Sequence, residues 1–348
     1  MCRSLAIHGY SVTLIVADGK GNAISEGVSI EDVGGARGRL DRILNVPKRL
    51  LCAANSLDAD IYHLHDPELL PIGLRLRRCG KRVIFDSHED VPMQMLGKPY
   101  LNKPLLWIIA RAFAFYESWV CRRLSGVIAA TPFIRNKFFR INPNTIDVNN
   151  YPIIDELVSD IAWQKRREEV CYVGGIAKVR GIKQLVSAMR LVSTGARLNL
   201  VGEFSESSLE QEVKADDGWK NVNEIGFLDR EGVREVLSRS RAGLVTLLPI
   251  PNYLDALPIK MFEYMSAGLP VIASDFDMWR GIVEQNDCGL CVDPMNPQAI
   301  AAAIDFFARN PVEAERMGVN GRQAVLSKYN WAIEEKKLLN FYDQIAIN

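Results

Sequence analysis

A repeated alternation of short β-branched segments and longer amphipathic segments constrains the fold of this chain more than any other feature. In the first half, the strand-like segments are Val12–Val16, Ile61–Leu64, Arg82–Asp86 and Gly126–Ala130. Helix-like segments lie between them: Arg37–Asn55, Glu68–Arg78 and Lys103–Leu124. Strands that alternate with helices predict a parallel sheet with right-handed crossover connections.

The alternation breaks at Asn149–Ile154, continues through a polar stretch, Glu156–Glu169, and then starts again. Six further strands are predicted, each followed by a helix: Val170–Val173, Leu198–Val201, Val222–Ile225, Gly243–Leu248, Val271–Ala273 and Leu290–Val292. We therefore predict an α/β protein with two Rossmann-like domains, residues 1–154 and 168–328, and a C-terminal helix, residues 329–348, returning to the first domain. Ligands are expected at the carboxyl ends of the strands, where the two sheets face each other across a cleft.

Charge and cysteine content narrow the class of protein. The chain has 42 Lys and Arg residues and 42 Asp and Glu residues, and this balance argues against nucleic acid as the main partner. Seven scattered cysteines are typical of free thiols in a reducing compartment. Because Met1–Ala6 is helix-like rather than a signal peptide, the expected location is the cytoplasm, with peripheral contact at the inner face of the plasma membrane left open.

One segment of the first half is both basic and aromatic. Between Lys98 and Arg140 there are eight cations and one acid, Glu117. The cations are Lys98, Lys103, Arg111, Arg122, Arg123, Arg135, Lys137 and Arg140. A basic and aromatic helix such as the one predicted at Lys103–Leu124 suits an anionic membrane surface. A helix that packs its apolar side on the first sheet would show the same composition, and the two interpretations remain open.

The segment from Pro249 to Val271 carries the most informative chemistry. Pro258 is predicted at the first helical position and Gly268 at the helix end, which places Asp255 just before the helix and Glu263 about two turns inside it. Backbone N–H groups at the helix start, together with Lys260, can hold an anion. The two carboxylates can bind separate polyols, such as a ribose and a hexose. The alternative is a capping aspartate and a solvated glutamate.

This segment resembles the E-x7-E region of retaining glycosyltransferases of family 4, which have the GT-B fold. The resemblance extends over nearly the whole chain, through Asp60–Pro67, Ile84–Asp90, Tyr172–Gly175, Arg180–Gly181, Leu200–Glu203, Asn223–Phe227 and Tyr329–Trp331. It implies transfer of a hexose from a UDP- or GDP-linked sugar to a glycan or lipid-linked glycan. The subset most resembled works in bacterial surface-polysaccharide assembly, such as that of O-antigen.

The resemblance also implies roles for individual residues. Glu263 would bind the donor ribose and Asp255, usually a glutamate in the family, would face the transferred sugar. Arg180 and Lys260 would contact the phosphates, while a second arginine of the family is replaced by Gly175. The full donor-binding set is Gly174, Gly175, Arg180, Gly202, Phe227, Lys260 and Glu263. The acceptor side would be His65, Asp66 and His88, and the catalytic residues His88, Asp255 and Glu263.

No metal or other cofactor is expected, because fixed cations can stabilise the charge that develops on a departing diphosphate. A zinc site of His63, His65 and His88 is disfavoured, since neither ligand spacing nor second-shell residues support it. The D-x-D sequences Asp58–Asp60 and Asp275–Asp277 would fit a metal-dependent single-domain glycosyltransferase, but such matches arise readily by chance.

Two other functions stay open. A sugar-nucleotide 2-epimerase has the same two-domain architecture. The family's first strand and loop also have no counterpart ahead of Met1, so that a non-catalytic protein that only binds nucleotide is the remaining alternative.

Overall fold

The computed structural model describes residues 1–96, 102–159 and 161–347 of the chain. The chain divides into two compact units. Unit 1 comprises residues 1–149 together with the chain from Glu334 onward, and unit 2 comprises Asn150–Ile333.

Unit 1 contains seven strands and eight helices within the described residues. The strands are β1 (Val12–Val16), β2 (Ala23–Ser25), β3 (Val28–Asp32), β4 (Ile61–Leu64), β5 (Arg82–Ser87), β6 (Gly126–Ala129) and β7 (Thr145–Asp147). The helices are α1 (Cys2–Ile7), α2 (Arg39–Leu44), α3 (Val46–Leu57), α4 (Leu70–Arg78), α5 (Val91–Leu96), α6 (Lys103–Cys121), α7 (Pro132–Phe139) and, at the C-terminus, α16 (Trp331–Ile347).

The strands of unit 1 form two hydrogen-bonded sheets rather than the single sheet expected from the sequence. A four-stranded parallel sheet has the order β4-β5-β6-β7, and a separate sheet has the order β1-β3-β2 with β2 antiparallel. Strands β2, β3 and β7 were not predicted, because β2 and β7 are three residues long and β3 is partly polar. The segment Arg37–Asn55 is two helices, α2 and α3, which meet at Asn45.

Unit 2 contains six strands and eight helices within the described residues. The strands are β8 (Glu169–Val173), β9 (Arg197–Val201), β10 (Val222–Gly226), β11 (Ala242–Val245), β12 (Val271–Ser274) and β13 (Gly289–Val292). The helices are α8 (Ile182–Met189), α9 (Ser207–Lys214), α10 (Arg230–Arg239), α11 (Pro251–Leu254), α12 (Ile259–Ser266), α13 (Asp277–Gln285), α14 (Pro297–Arg309) and α15 (Pro311–Ser327).

All six strands of unit 2 are parallel and have the order β10-β9-β8-β11-β12-β13. From β8 the chain moves outward through β9 to β10, and then it crosses to the other side of β8 to continue with β11. The connections that leave β8 and β11 therefore lead towards opposite edges of the sheet. In open α/β sheets this switch point is where ligands bind.

Helix α12 is fixed to β8 and β11 by one side chain. The Tyr264 hydroxyl accepts a hydrogen bond from the backbone N–H of Val173 at 2.8 Å. The Tyr264 ring covers Gly243 of β11 so closely that a side-chain carbon there would lie 2.2 Å from the ring. A larger residue at Gly243 would push α12 off the sheet, and with it the residues that α12 presents to the end of β8.

Helix α16 packs on unit 1, in agreement with the predicted return of the C-terminal helix. Phe341 is buried against Gly126 of β6, where an added side-chain carbon would lie 2.5 Å from its ring. Glu334 is also buried and accepts a hydrogen bond from the Asn149 N–H at 2.8 Å. These contacts attach the end of the chain to the middle of the four-stranded sheet.

All seven cysteines are free thiols. None of the helices within the described residues combines the length and apolar character needed to cross a membrane.

We expect Phe341→Ala to lower the free energy of unfolding of unit 1 by about 3–5 kcal/mol, because it removes a buried aromatic ring. Urea titration followed by circular dichroism measures the change. Ile347→Ala on the same helix is the control, since Ile347 is 84% exposed and should change stability by no more than about 0.5 kcal/mol. Equal effects of the two substitutions would show that α16 does not depend on this contact.

Candidate functional site

Three strand ends of unit 2 carry a glycine with a positive φ angle. Gly174 follows β8 (φ 128°), Gly202 follows β9 (φ 139°) and Gly226 ends β10 (φ 83°). The backbones approach so closely that a side-chain carbon at Gly202 would lie 2.1 Å from the Gly174 carbonyl oxygen. Larger residues are therefore excluded at Gly174 and Gly202, and the strand ends present closely spaced backbone.

Two cations converge on these strand ends beside Gly174. A side-chain carbon at Gly174 would lie 3.1 Å from Lys260 Nζ and 3.3 Å from a guanidinium nitrogen of Arg180. Lys260 Nζ is buried and has no hydrogen-bond partner among the described residues, and it lies 3.8 Å from the centre of the Tyr172 ring. The ring face supplies a weak cation–π attraction, and the nearby charge of Glu263 offsets the burial only in part, since no hydrogen bond from the described residues reaches Nζ.

This arrangement is electrostatically unfavourable without a ligand. Burial, reinforced by the neighbouring positive charge of Arg180, holds the pKa of Lys260 well below its usual range. A polyanion such as a diphosphate, bound over the bare backbone of Gly174, would supply the missing counter-charge. The geometry thus brings together Lys260, Arg180, Gly174 and Gly175 as a candidate anion site.

Helix α12 begins one residue later than expected. Pro258 is the N-cap rather than the first helical residue, and no side chain caps the helix N-terminus. Glu263 therefore lies about one turn into the helix, not two, and Asp255 ends α11 instead of capping α12. The alternative in which Asp255 caps α12 is therefore wrong, because the Asp255–Leu257 connection separates Asp255 from the first turn of that helix.

The Glu263 carboxylate is held by an arginine that the sequence analysis missed. Arg230, the first residue of α10, donates to Glu263 Oε1 at 2.7 Å and makes a two-pronged contact with Glu156 at 2.6 and 3.0 Å. The side chain of Glu263 is mostly buried. The sequence could have revealed Arg230 by its position, since it begins a helix just after β10, on the same edge of the sheet as the glycines.

The remaining predicted donor residue, Phe227, follows Gly226 at the end of β10. Its ring is 75% exposed, which leaves an aromatic face free to stack on a planar group.

In unit 1, three of the four histidines meet around one buried carboxylate. Oδ2 of Asp86 on β5 lies 3.4 Å from His63 Nε2, 3.4 Å from His65 Nδ1 and 3.5 Å from His88 Nε2. The His63 Nδ1 atom lies 2.7 Å from the Tyr342 hydroxyl on α16. Asp66 is not part of this cluster, since it is exposed and begins the 3₁₀ turn Pro67–Leu69. Sequence reasoning placed the histidines at strand ends but missed Asp86 and Tyr342.

The basic segment of unit 1 has two different surfaces. On α6 the only acid, Glu117, is fully buried and paired with Lys137 at 2.8 Å, and Lys137 also contacts Asp90. Lys137 is therefore not available to an anionic surface, which corrects the expectation for one of the eight cations. Another of them, Lys98, lies outside the described residues. The exposed side of α6 carries apolar residues and unneutralised cations: Leu105, Trp107, Ile108, Ile109, Phe115, Trp119, Lys103 and Arg111.

Comparison with known proteins decides the family. The family model "Glycosyl transferases group 1" matches residues 154–324, and "Glycosyltransferase Family 4" matches residues 1–149. A phosphatidyl-myo-inositol mannosyltransferase from Mycobacterium leprae (strain TN) is 32% identical over 298 residues, which cover 83% of this chain and 74% of the relative. The chain therefore belongs to the glycosyltransferase family that these two models describe.

Solved structures share the fold of this glycosyltransferase. Sucrose-phosphate synthase from Thermosynechococcus elongatus superposes with a TM-score of 0.79 at 19% identity, over 99% of this chain and 91% of that one. Anabaena HepE in complex with UDP gives a TM-score of 0.72 at 13% identity, over 96% and 100% of the two chains. At such identities the likeness shows the fold, and it confirms the predicted pair of Rossmann-like domains of GT-B type.

We expect Lys260→Met and Arg180→Met to weaken the binding of inorganic pyrophosphate to the glycosyltransferase by about 10- to 150-fold each, the loss of one charge-assisted contact. Isothermal titration calorimetry measures the affinity. Lys183→Met on α8 is the matched control, because its ammonium is engaged by Glu212 and should leave the affinity unchanged. Equal affinity in all four proteins would remove both cations from the site.

The same binding should depend on pH through Lys260. Its pKa is depressed in the free protein, and a bound anion would raise it, so the complex takes up a proton between these two values. Affinity therefore falls as pH rises above the depressed pKa. Because pyrophosphate itself titrates, the measured quantity is the difference in slope between wild type and Lys260→Met.

Proposed function

We propose that this glycosyltransferase moves a hexose from a UDP- or GDP-linked donor, bound by unit 2, to a glycan or lipid-linked glycan, with retention of anomeric configuration. The observation that carries the proposal is the buried, unpartnered ammonium of Lys260 beside Arg180 and the bare backbone of Gly174. A nucleoside diphosphate has the negative charge that this pair lacks. That HepE, which has the same fold, was solved with UDP and with UDP-glucose supports this choice of ligand.

The cations would act on the leaving group. When the sugar–phosphate bond breaks, negative charge builds up on the diphosphate, and fixed cations in a desolvated site stabilise that charge most strongly in the transition state. Lys260 Nζ is already held in place by burial and by the Tyr172 ring, with Arg180 beside it. We propose that no divalent ion is needed at the diphosphate.

Glu263 is proposed to bind the ribose of the donor. Arg230 holds Oε1, and Oε2 would accept hydrogen bonds from the ribose hydroxyls, with Phe227 available for the base. Asp255, eight residues earlier, is proposed to face the transferred sugar. The spacing of this pair, which resembles the E-x7-E region, supports retention of configuration. His88, His65 and Asp66 are proposed to line the acceptor side of the active site.

A test of the whole proposal incubates the protein with UDP- and GDP-hexoses and a lipid-linked glycan. We expect nucleoside diphosphate to be released only when the acceptor is present, and proton NMR to show the donor's anomeric configuration in the product. Donor affinity should be the same with and without EDTA. Glu263→Gln should lower kcat/KM by about 10- to 150-fold, since it loses a charge-assisted contact with the donor.

Three outcomes would contradict the proposal. Acceptor-independent release with formation of the free epimeric sugar would indicate a 2-epimerase. Tight UDP binding without turnover of any donor would indicate a protein that only binds nucleotide. Loss of donor binding in EDTA and its recovery with Mn²⁺ would show that a metal, rather than Lys260 and Arg180, neutralises the diphosphate.

The acceptor is proposed to be presented at an anionic membrane surface. The exposed side of α6 combines Trp107, Phe115 and Trp119 with Arg111, and Arg123 follows just after the helix. The two guanidinium groups lie over the Trp107 and Trp119 rings. Soluble proteins rarely expose so many large apolar side chains together. The M. leprae relative is named for a phospholipid that it mannosylates, and this supports a lipid acceptor.

We expect the protein to sediment with phosphatidylglycerol vesicles at low salt and to be released as salt rises, because surface cations contribute about 1 kcal/mol each near an anionic membrane. The double variant Arg111→Glu/Arg123→Glu should lose most of this binding while keeping its affinity for UDP. Arg190→Glu/Lys220→Glu, the same charge change on exposed residues of unit 2, is the control. If wild type ignores the vesicles at low salt, a soluble acceptor is favoured.

A further inference from the structure

Two histidines at the strand ends of unit 1 are in direct contact through their ring nitrogens. His65 Nδ1 lies 3.3 Å from His88 Nε2, and the two rings are inclined by only 16° with their centres 5.7 Å apart. This separation equals the nitrogen–nitrogen distance plus one ring radius at each end. Both nitrogens therefore lie on the line between the ring centres, and the rings meet edge to edge in nearly one plane. This is the geometry of a linear N–H···N hydrogen bond, in which one ring donates and the other accepts.

A buried negative charge lies beside this hydrogen bond. Asp86 is completely buried, and its Oδ2 atom lies 3.4 Å from His65 Nδ1 and 3.5 Å from His88 Nε2. Burial alone would raise the pKa of Asp86, but the contacts with His63 and His65 hold that pKa below its usual range, so the carboxylate is ionised. Neither of its oxygens has a hydrogen-bond partner among the described residues. A buried carboxylate of this kind requires a positive charge close by.

The third histidine of the cluster does not supply that charge. Burial is the main cause that lowers the pKa of His63, so its ring is neutral. The Tyr342 hydroxyl lies 2.7 Å from His63 Nδ1, and burial raises the pKa of this hydroxyl, which keeps its proton and can donate it to Nδ1. The proton of His63 is then on Nε2, 3.4 Å from Asp86 Oδ2. Within the described part of the chain no lysine or arginine lies at ion-pair distance from Asp86.

We propose that His65 and His88 share one positive charge, and that Asp86 is the positioning residue that keeps this charge on the pair at neutral pH. Both rings are part-exposed, so that the additional proton can come from solvent. In the charged pair, one proton occupies the N–H···N bond, and each ring has a second N–H on its outer nitrogen, His65 Nε2 and His88 Nδ1. Without the additional proton, one of these outer nitrogens has a lone pair instead.

This inference rests on the proposed function, which assigns His65 and His88 to the side of the sugar acceptor. Two outward N–H groups can donate to oxygen atoms of that substrate, whereas the uncharged pair offers only one donor. Asp66 and Glu89, next to the two histidines in the chain, are exposed and add negative charge that favours the same proton. The pair therefore binds the sugar acceptor best in its charged form.

The direct test is NMR spectroscopy at neutral pH of protein labelled with nitrogen-15 in histidine. We expect a scalar coupling between His65 Nδ1 and His88 Nε2, and chemical shifts of protonated nitrogen at both outer positions. His65→Gln and His88→Gln assign the signals. In Asp86→Asn one outer nitrogen should lose its proton at the same pH. The signals of His8, which contacts the Ser4 carbonyl, are the internal control and should not change.

Transfer kinetics provide the functional readout. Asp86→Asn should lower kcat/KM for the sugar acceptor at neutral pH by about 10- to 150-fold, the loss of one charge-assisted donor, without a change in KM for the nucleotide-sugar. Wild-type activity should fall as pH rises through the loss of the shared charge, and in Asp86→Asn this fall should come at lower pH. Asp60→Asn makes the same change at an exposed residue just ahead of β4 and should alter neither quantity.

Two results would overturn the proposal. One is a wild-type spectrum without the coupling, or with an unprotonated outer nitrogen at neutral pH. The other is an Asp86→Asn protein, folded by circular dichroism, that keeps the ring signals and pH profile of wild type. If Asp86→Asn does not fold, the wild-type spectrum decides. Because the spectra need no substrate, a chain that shows the charged pair but transfers no sugar would contradict the proposed function and not the shared charge.

Discussion

The buried ammonium of Lys260 is the constraint around which unit 2 is arranged. An ammonium that has left water and found no acceptor costs free energy, and a second cation, Arg180, adds repulsion. The fold tolerates this cost because Lys260 is on a helix that Tyr264 fixes to the sheet at Val173 and Gly243. The Lys260 ammonium therefore lies beside Gly174 and Arg180, where an anion can pair with it.

The absence of side chains at the strand ends matters as much as the charges. Gly174 and Gly202 are in backbone conformations that other residues rarely adopt, and Gly202 lies against the Gly174 carbonyl. A Cβ at either position would disturb the contact between β8 and β9 or displace the cations. The same edge of the sheet therefore offers both close approach to backbone and positive charge, the combination that diphosphate binding requires.

Unit 1 contains a buried negative charge, the carboxylate of Asp86, where unit 2 has a buried positive one. Asp86 gathers three histidines at the ends of β4 and β5, and Tyr342 on α16 connects this cluster to the end of the chain. In each unit a buried charged group without a hydrogen-bond partner among the described residues, Lys260 or Asp86, lies near the carboxyl end of a parallel strand. This is where α/β folds place function, because loops there can carry polar groups without breaking the sheet.

The alternation of strands and helices was enough to predict both α/β units, since buried parallel strands such as Leu198–Val201 are almost entirely apolar. Lys260 could also be named from sequence, because it lies at the start of a predicted helix, whereas the glycines and Arg180 were named through the resemblance to family 4. Arg230 and Tyr342 could not be found in this way, since their partners Glu263 and His63 are 33 and 279 residues away in the chain. Asp86 was missed because two of the histidines that surround it, His63 and His65, belong to a different strand. Local sequence determines periodicity and turn chemistry, but only the tertiary structure decides which charges meet, because burial and distance set the energy of a charge and neither is a local property.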